Sequence, residues 1–193
     1  MLIRHTRPSD ADQIYEHFQS AQVTEKDIPR MPKRGFYEYP LSFKDMAQRA
    51  GSPLSFVMEE SGRIRGYVLA YTVQQLSKED PIHQYVAMLD QSVVYLDQVF
   101  LHAQLPLPIA GRLFDVLDSL LQNEKVPGVV AAIPEHPWKN QSSVRMAYAR
   151  GFSPRELITT EKVGLRLFTK PYLRLDNPFE GFGDSALVST HSF

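Results

Sequence analysis

The chain of 193 residues contains no cysteine. Thiolate catalysis, disulfide pairing and cysteine-held metals are therefore excluded, and a reducing compartment suits it. No apolar run approaches the roughly 20 residues that span a bilayer. Neither sign of charge dominates: 21 Lys and Arg stand against 22 Asp and Glu, a formal charge of −1. Such a balance provides no field to gather nucleic acid. The opening MLIRHTRPSD lacks the apolar core of a signal peptide. The six histidines (His5, His17, His83, His102, His136 and His191) are scattered without metal-ligand spacing. A complete dinucleotide-binding glycine motif and a nucleophile elbow are both missing. The expectation is a cytoplasmic protein with no metal, no nucleic-acid partner and no membrane partner.

What is present is ordinary globular composition, 43% hydrophobic and 22% charged. Leu2 to Thr6 alternates as a short strand. RPSDADQIYEHF follows as a helix start, with Ser9 as cap and Ile14, Tyr15 and Phe18 as its apolar face. Gln22 to Pro40 is irregular and rich in charge, proline and aromatics. Ser42 to Ala50 reads as a second helix, capped by Ser42 and stopped by Gly51. LSFVMEE, Ser61-Gly62 and RIRGYVLAYT form a hairpin. A short helix is expected around Ile82 to Leu89, then the strongest strand, Ser92 to Leu101. Pro108 to Gln122 carries an apolar stripe of Ile109, Leu113, Val116, Leu117, Leu120 and Leu121. A strand at Gly128 to Ile133, a helix at Ser142 to Arg150 and strands at Glu156 to Thr160 and Val163 to Lys170 complete the pattern. This order implies a mixed α/β (α+β) fold with a central, partly antiparallel sheet of about seven strands and about four helices. The expected organisation is one domain over residues 1–172 and a tail over 173–193, with Phe179, Phe182 and Phe193 as its anchors if it folds back.

Three stretches resemble the GNAT family of acyl-CoA-dependent N-acetyltransferases. IRHTRPSDADQIYEHF is similar to the family's first strand and helix. VVYLDQVFL running into PIAGRLFDVLDSLL resembles its fourth strand and cofactor-binding helix. NQSSVRMAYARGF, Asn140 to Phe152, resembles its late pattern of Asn, a small residue, an apolar residue, Tyr and Gly-Phe. The resemblance implies acetyl-CoA as co-substrate and an amine acceptor, a small molecule or a peptide, with a homodimer possible. It places the acyl arm on the backbone of Val99, Phe100 and Leu101. The diphosphate falls on the N–H groups of Ile109, Ala110, Gly111 and Arg112, and Asn140 falls on the arm or on a helix cap. Arg34, Phe36 and Tyr37 fall in the acceptor region. Asp97 or His102 is the candidate base, and Tyr148 the candidate acid; Trp138 reads as packing.

Two departures accompany the resemblance. The family's glycine-rich phosphate loop is incomplete here, with Pro106 and Pro108 in its place. Proline is tolerated in a first helical turn, so the following N–H groups can still present themselves. The family's tyrosine position is Ala147, with Tyr148 one residue later, about 100° around a helix. Two functions follow as expectations: acetyl transfer from acyl-CoA to an amine by direct attack, or a GNAT-fold module without catalysis that binds a ligand or a protein partner.

Overall fold

The computed structural model describes residues 1–30, 32, 35–37, 41–76, 78, 80, 82–86, 92–172 and 188–189. The chain runs through β1 (Leu2–His5), α1 (Ala11–Ser20), two-residue strands β2 (Gln22–Val23) and β3 (Phe36–Tyr37), and α2 (Phe43–Ala50). The hairpin β4 (Phe56–Glu60) and β5 (Arg63–Thr72) follows, then the one-turn helix α3 (His83–Val86) and β6 (Val94–Leu101). The long helix α4 (Leu107–Asn123), β7 (Gly128–His136), α5 (Gln141–Ala149), β8 (Ser153–Thr159), β9 (Gly164–Pro171) and β10 (Val188–Ser189) complete the order. Seven strands of four or more residues and four helices of seven or more make the fold mixed α/β and mostly antiparallel. That is the class the element order implies. No helix among the described residues is long and apolar enough to cross a membrane.

Two compact units share the chain. The first comprises Met1–Ser20, Pro40–Tyr71 and Leu96–Val126, with strand order β1-β4-β5-β6. β1 runs antiparallel to β4, with Ile3 opposite Met58, and β4 antiparallel to β5, with Phe56 opposite Val68. The hairpin turn takes positive φ at both Ser61 (50°) and Gly62 (76°). This is the turn whose twist matches the flanking strands. Ile14 and Phe18 of α1, Met46 of α2, Met58, Tyr67 and Leu69 of the hairpin, and Leu113, Leu117 and Leu121 of α4 are buried. Each such side chain contributes roughly 1.5–3 kcal/mol. The α4 stripe is narrower than expected, since Ile109, Val116 and Leu120 are only half-buried.

The first helix is capped differently from the expectation. A 3₁₀ turn, Pro8–Asp10, precedes α1, and Asp10 rather than Ser9 satisfies the turn. Its Oδ2 accepts the N–H of Arg7 at 2.7 Å, and its two oxygens accept from the Arg4 guanidinium at 2.7 and 2.9 Å. Arg4 also donates to Glu59 Oε2 of β4, at 2.8 Å from Nε and 2.6 Å from Nη2. One cation thus ties β1, the helix start and β4 together. In α2 the expected cap holds: Ser42 Oγ accepts from Asp45 N–H at 3.2 Å, and the Asp45 carboxylate accepts from Ser42 N–H at 3.1 Å.

The second unit comprises Ala21–Tyr39, Thr72–Tyr95 and Pro127–Phe193, with strand order β7-β9-β8-β10. β7 and β8 both run antiparallel to β9, with Ala131 opposite Phe168 and Ile158 opposite Leu165. In the tail, Val188 and Ser189 pair in parallel with Ile158 and Thr159; Phe179, Phe182 and Phe193 lie outside the described residues. The parallel pair β2–β3 sets Val23 beside Tyr37. Val23, Tyr37 and Trp138 form a small core, with Ile28 and Val163 packed against it.

Burial alone raises the Asp10 carboxyl, but the hydrogen bonds from Arg4 and Arg7 and the charge of Arg4 outweigh it and hold the group below its usual value. A carboxyl depressed on folding contributes stability above its unfolded pKa near 3.9, and that stability is lost as pH falls through the folded value. Asp10→Ala is expected to cost about 3 kcal/mol at pH 7. In urea titrations the gap between wild type and variant should narrow as pH falls below about 4.

Candidate functional site

Strand β6 alternates its side chains between two faces, so Asp97 and Gln98 point oppositely. The Asp97 side chain is 1% exposed and is paired with Arg49 from the last turn of α2. The Arg49 guanidinium also sits over the Tyr71 ring, 5.5 Å from its centre. The carboxylate expected as a base is therefore a buried ion-pair partner. Gln98 is buried on the other face, where its Oε1 accepts from the Tyr67 hydroxyl at 3.2 Å. Its Nε2 has no partner among the described residues. Burial, reinforced by the negative charge of Asp97, pushes the Tyr67 hydroxyl well above its usual range. Phe100 stacks on His17 at 4.7 Å and on Tyr67 at 5.5 Å between ring centres. Val99, Phe100 and Leu101 are half-buried. Gly66 of β5 lets the two backbones approach: a Cβ there would stand 3.0 Å from the Phe100 carbonyl oxygen and 3.1 Å from Leu101 Cδ2.

The turn from β6 into α4 spends its donors internally. His102 N–H donates to the Arg65 carbonyl at 2.8 Å, Leu105 N–H to His102 at 2.9 Å, and Ile109 N–H to Pro106 at 2.9 Å. Pro108 has no N–H. Because α4 begins at Leu107, the i→i−4 ladder assigns the N–H groups of Ala110, Gly111 and Arg112 to Pro106, Leu107 and Pro108. The amides of Ile109 to Arg112, the expected diphosphate cradle, thus face protein acceptors. The helix starts a residue earlier than the pattern suggested, and the Pro106 carbonyl closes its first turn. The Arg112 side chain is exposed. Beside this turn a cavity of about 210 Å³ is lined by Glu60, Arg65, His102, Gln104, Leu105 and Ile109. The His102 Nδ1 accepts from Gln104 N–H at 3.4 Å.

In the second unit Asn140 caps α5, its Oδ1 accepting from Ser143 N–H at 3.1 Å. Its Nδ2 donates to the Gly35 carbonyl at 2.9 Å, so both ends of the carboxamide serve the fold. Trp138 packs, as expected, and its indole N–H donates to the Pro32 carbonyl at 2.6 Å. Tyr37 is a core residue beside it, and Phe36 is half-buried in β3; Arg34 lies outside the described residues. Gly35 has φ +139°, and a Cβ there would overlap Val23 Cγ2 and stand 2.7 Å from the Ala21 carbonyl oxygen. Tyr148 is 55% exposed on α5 and meets Phe168 edge-on at 5.7 Å, while Ala147 is buried. The one-residue offset has carried the tyrosine to the outer face. Among the described residues no group of three or more His, Asp or Glu could hold a metal ion.

No family model matches the sequence, and no curated protein matches it. Solved structures do match. The ribosomal-protein-alanine N-acetyltransferase from Brucella melitensis aligns over 89% of this chain and 100% of its own, with a TM-score of 0.59 at 17% identity. The chain has the GNAT fold. Naa20 from Chaetomium thermophilum, solved with a bisubstrate analogue, covers 94% of this chain and 91% of its own, with a TM-score of 0.62 at 13% identity. The PaiA N-acetyltransferase from Thermoplasma acidophilum, solved with coenzyme A, covers 89% and 98%, with a TM-score of 0.59 at 10% identity.

Within this GNAT fold, residue reading missed two structural determinants. Arg49 is the partner of Asp97 from 48 positions away, and no local pattern announces it. Gly35 was visible only as a glycine in an irregular loop. Removing one member of a buried pair strands the other charge, whereas replacing both with apolar groups does not. Arg49→Met is expected to cost about 3–5 kcal/mol in chemical denaturation. The double variant Arg49→Met/Asp97→Leu should recover most of that loss.

Proposed function

We propose that the chain is an N-acyltransferase that moves an acetyl group from acetyl-CoA to an amine by direct attack. The observation that carries this reading is the likeness over about nine tenths of the chain to N-acetyltransferases, one of them solved with coenzyme A. The co-substrate supplies an activated thioester: the new C–N bond forms as the C–S bond breaks, with a proton leaving the amine and one reaching the departing thiolate. The chain's part is to orient the reactants and to take the amine's proton. The backbone at the end of β6, Val99 to Leu101, is the proposed hold on the acyl arm, because backbone recognition tolerates changed side chains.

Of the three expected proton-transfer groups, His102 is the proposed acceptor. Asp97 is buried against Arg49 and Tyr148 stands on an outer face, whereas the His102 ring lines a cavity. The proposed acceptor substrate is an amine of a protein or a small molecule, the class named for the neighbours. The cytoplasm is the proposed location, in keeping with a chain free of cysteine.

The start of α4 favours a second reading. With Pro108 lacking a donor and Ile109 bonded to Pro106, it does not fit a main-chain diphosphate site. A GNAT-fold module that binds a ligand or protein without turnover accords with that. Calorimetric titration with acetyl-CoA, followed by measurement of CoA release across an amine panel, separates the two. Binding with release supports the enzyme; binding without release supports the module; no binding ends the acyl-CoA reading. His102→Gln is expected to lower kcat about 10²–10⁴-fold with the acetyl-CoA Kd little changed. An unaltered kcat would remove His102 from the mechanism.

A further inference from the structure

The tip of the β4–β5 hairpin sets two opposite charges side by side. Glu60 closes β4 opposite Arg63, and Arg65, two positions further along β5, shares the face of Arg63. Arg65 Nε donates to Glu60 Oε2 at 3.3 Å. That bond uses one nitrogen of the guanidinium and one oxygen of the carboxylate. Among the described residues, the terminal nitrogens of Arg65 and the second oxygen of Glu60 have no partner. His102 N–H donates to the Arg65 carbonyl at 2.8 Å, which brings the end of β6 against this rim. All three residues belong to the first unit. They line the cavity of about 210 Å³ together with Leu105, Pro106 and Ile109. Drug-sized ligands fill roughly 300–1,000 Å³, so the space suits a smaller molecule.

Charge complementarity names the occupant. An anion alone would meet Glu60, and a cation alone would meet Arg65. A molecule with its amine and its carboxylate on one carbon satisfies both, and its carboxylate matches the planar edge of a guanidinium. We propose that this cavity holds a free α-amino acid with an apolar side chain. Its amine lies on Glu60, its carboxylate on the terminal nitrogens of Arg65, and its side chain against Leu105 and Ile109. Binding stands on these residues alone; the role of the amino acid as acetyl acceptor rests on the acyl-CoA reading above. In that role the amine nitrogen bonds to the acetyl carbon as the C–S bond breaks. The amine's proton passes to His102, and the departing thiolate takes one from water. A peptide N-terminus carries an amide where the free amino acid carries its carboxylate, and so leaves Arg65 without its anion.

The test is calorimetry on the full chain with L-leucine, leucinamide, 3-methylbutylamine, which lacks the carboxylate, and 4-methylpentanoate, which lacks the amine. Wild type should bind L-leucine about tenfold more tightly than any of the other three. Arg65→Gln should weaken L-leucine about tenfold without weakening 3-methylbutylamine, and Arg65→Lys should restore part of the loss. Glu60→Gln should weaken L-leucine to a similar degree without weakening 4-methylpentanoate. Equal binding of leucinamide and L-leucine by wild type would overturn the free amino acid in favour of a peptide N-terminus. Equal binding of L-leucine by wild type and both Gln variants would overturn the site. CoA release from acetyl-CoA in the presence of L-leucine is measured separately. If L-leucine binds as stated and no CoA is released, the site stands and the acyl-CoA reading falls. If CoA is released with other amines while L-leucine does not bind, the site falls and that reading stands. Neither binding nor release ends both. Glu60 and Arg65 lie at an exposed hairpin tip, so thermal midpoints within a few degrees of wild type will confirm that the variants remain folded.

Discussion

An imino acid cannot donate a hydrogen bond, and two of them stand where β6 becomes α4. Pro106 turns the chain and offers its carbonyl to Ile109; Pro108 removes a donor from the first helical turn. A helix N-terminus ordinarily holds an anion because several N–H groups there lack intrahelical partners. Here that supply is nearly spent before any ligand arrives. A phosphate held at this turn would depend on side chains, of which Arg112 is an exposed cation on α4.

The polar side chains of β6 are committed elsewhere. Asp97 balances Arg49, Gln98 accepts from Tyr67, and Phe100 is held between two rings. Such groups fix the strand, since a buried charge without its partner costs several kcal/mol. In the second unit Asn140 is committed in the same way, joining the start of α5 to Gly35.

Local pattern made much of this legible. Ser61-Gly62 between alternating strands, Ser42 before a periodic helix and leucines four apart in α4 are short-range signals, and all three hold in the structure. The offset of Tyr148 from the expected tyrosine position was also readable, but that its ring is exposed is shown by the structure. Long-range partners were not legible. Asp97 reads the same whether it faces solvent or an arginine 48 positions away. Ser9 reads as the cap until Arg4, which also donates to Glu59, is seen to donate to Asp10. The start of α4 was misjudged by a residue, and one residue decides which amides are free.

The most direct test is amide chemical-shift mapping of isotopically labelled protein titrated with acetyl-CoA. Saturable shifts at the end of β6, Val99 to Leu101, with the Ile109 to Arg112 amides unmoved, are the predicted result. Dominant shifts at Ile109 to Arg112 would show that the turn releases its donors to the ligand and would contradict a helix start whose amides are already committed.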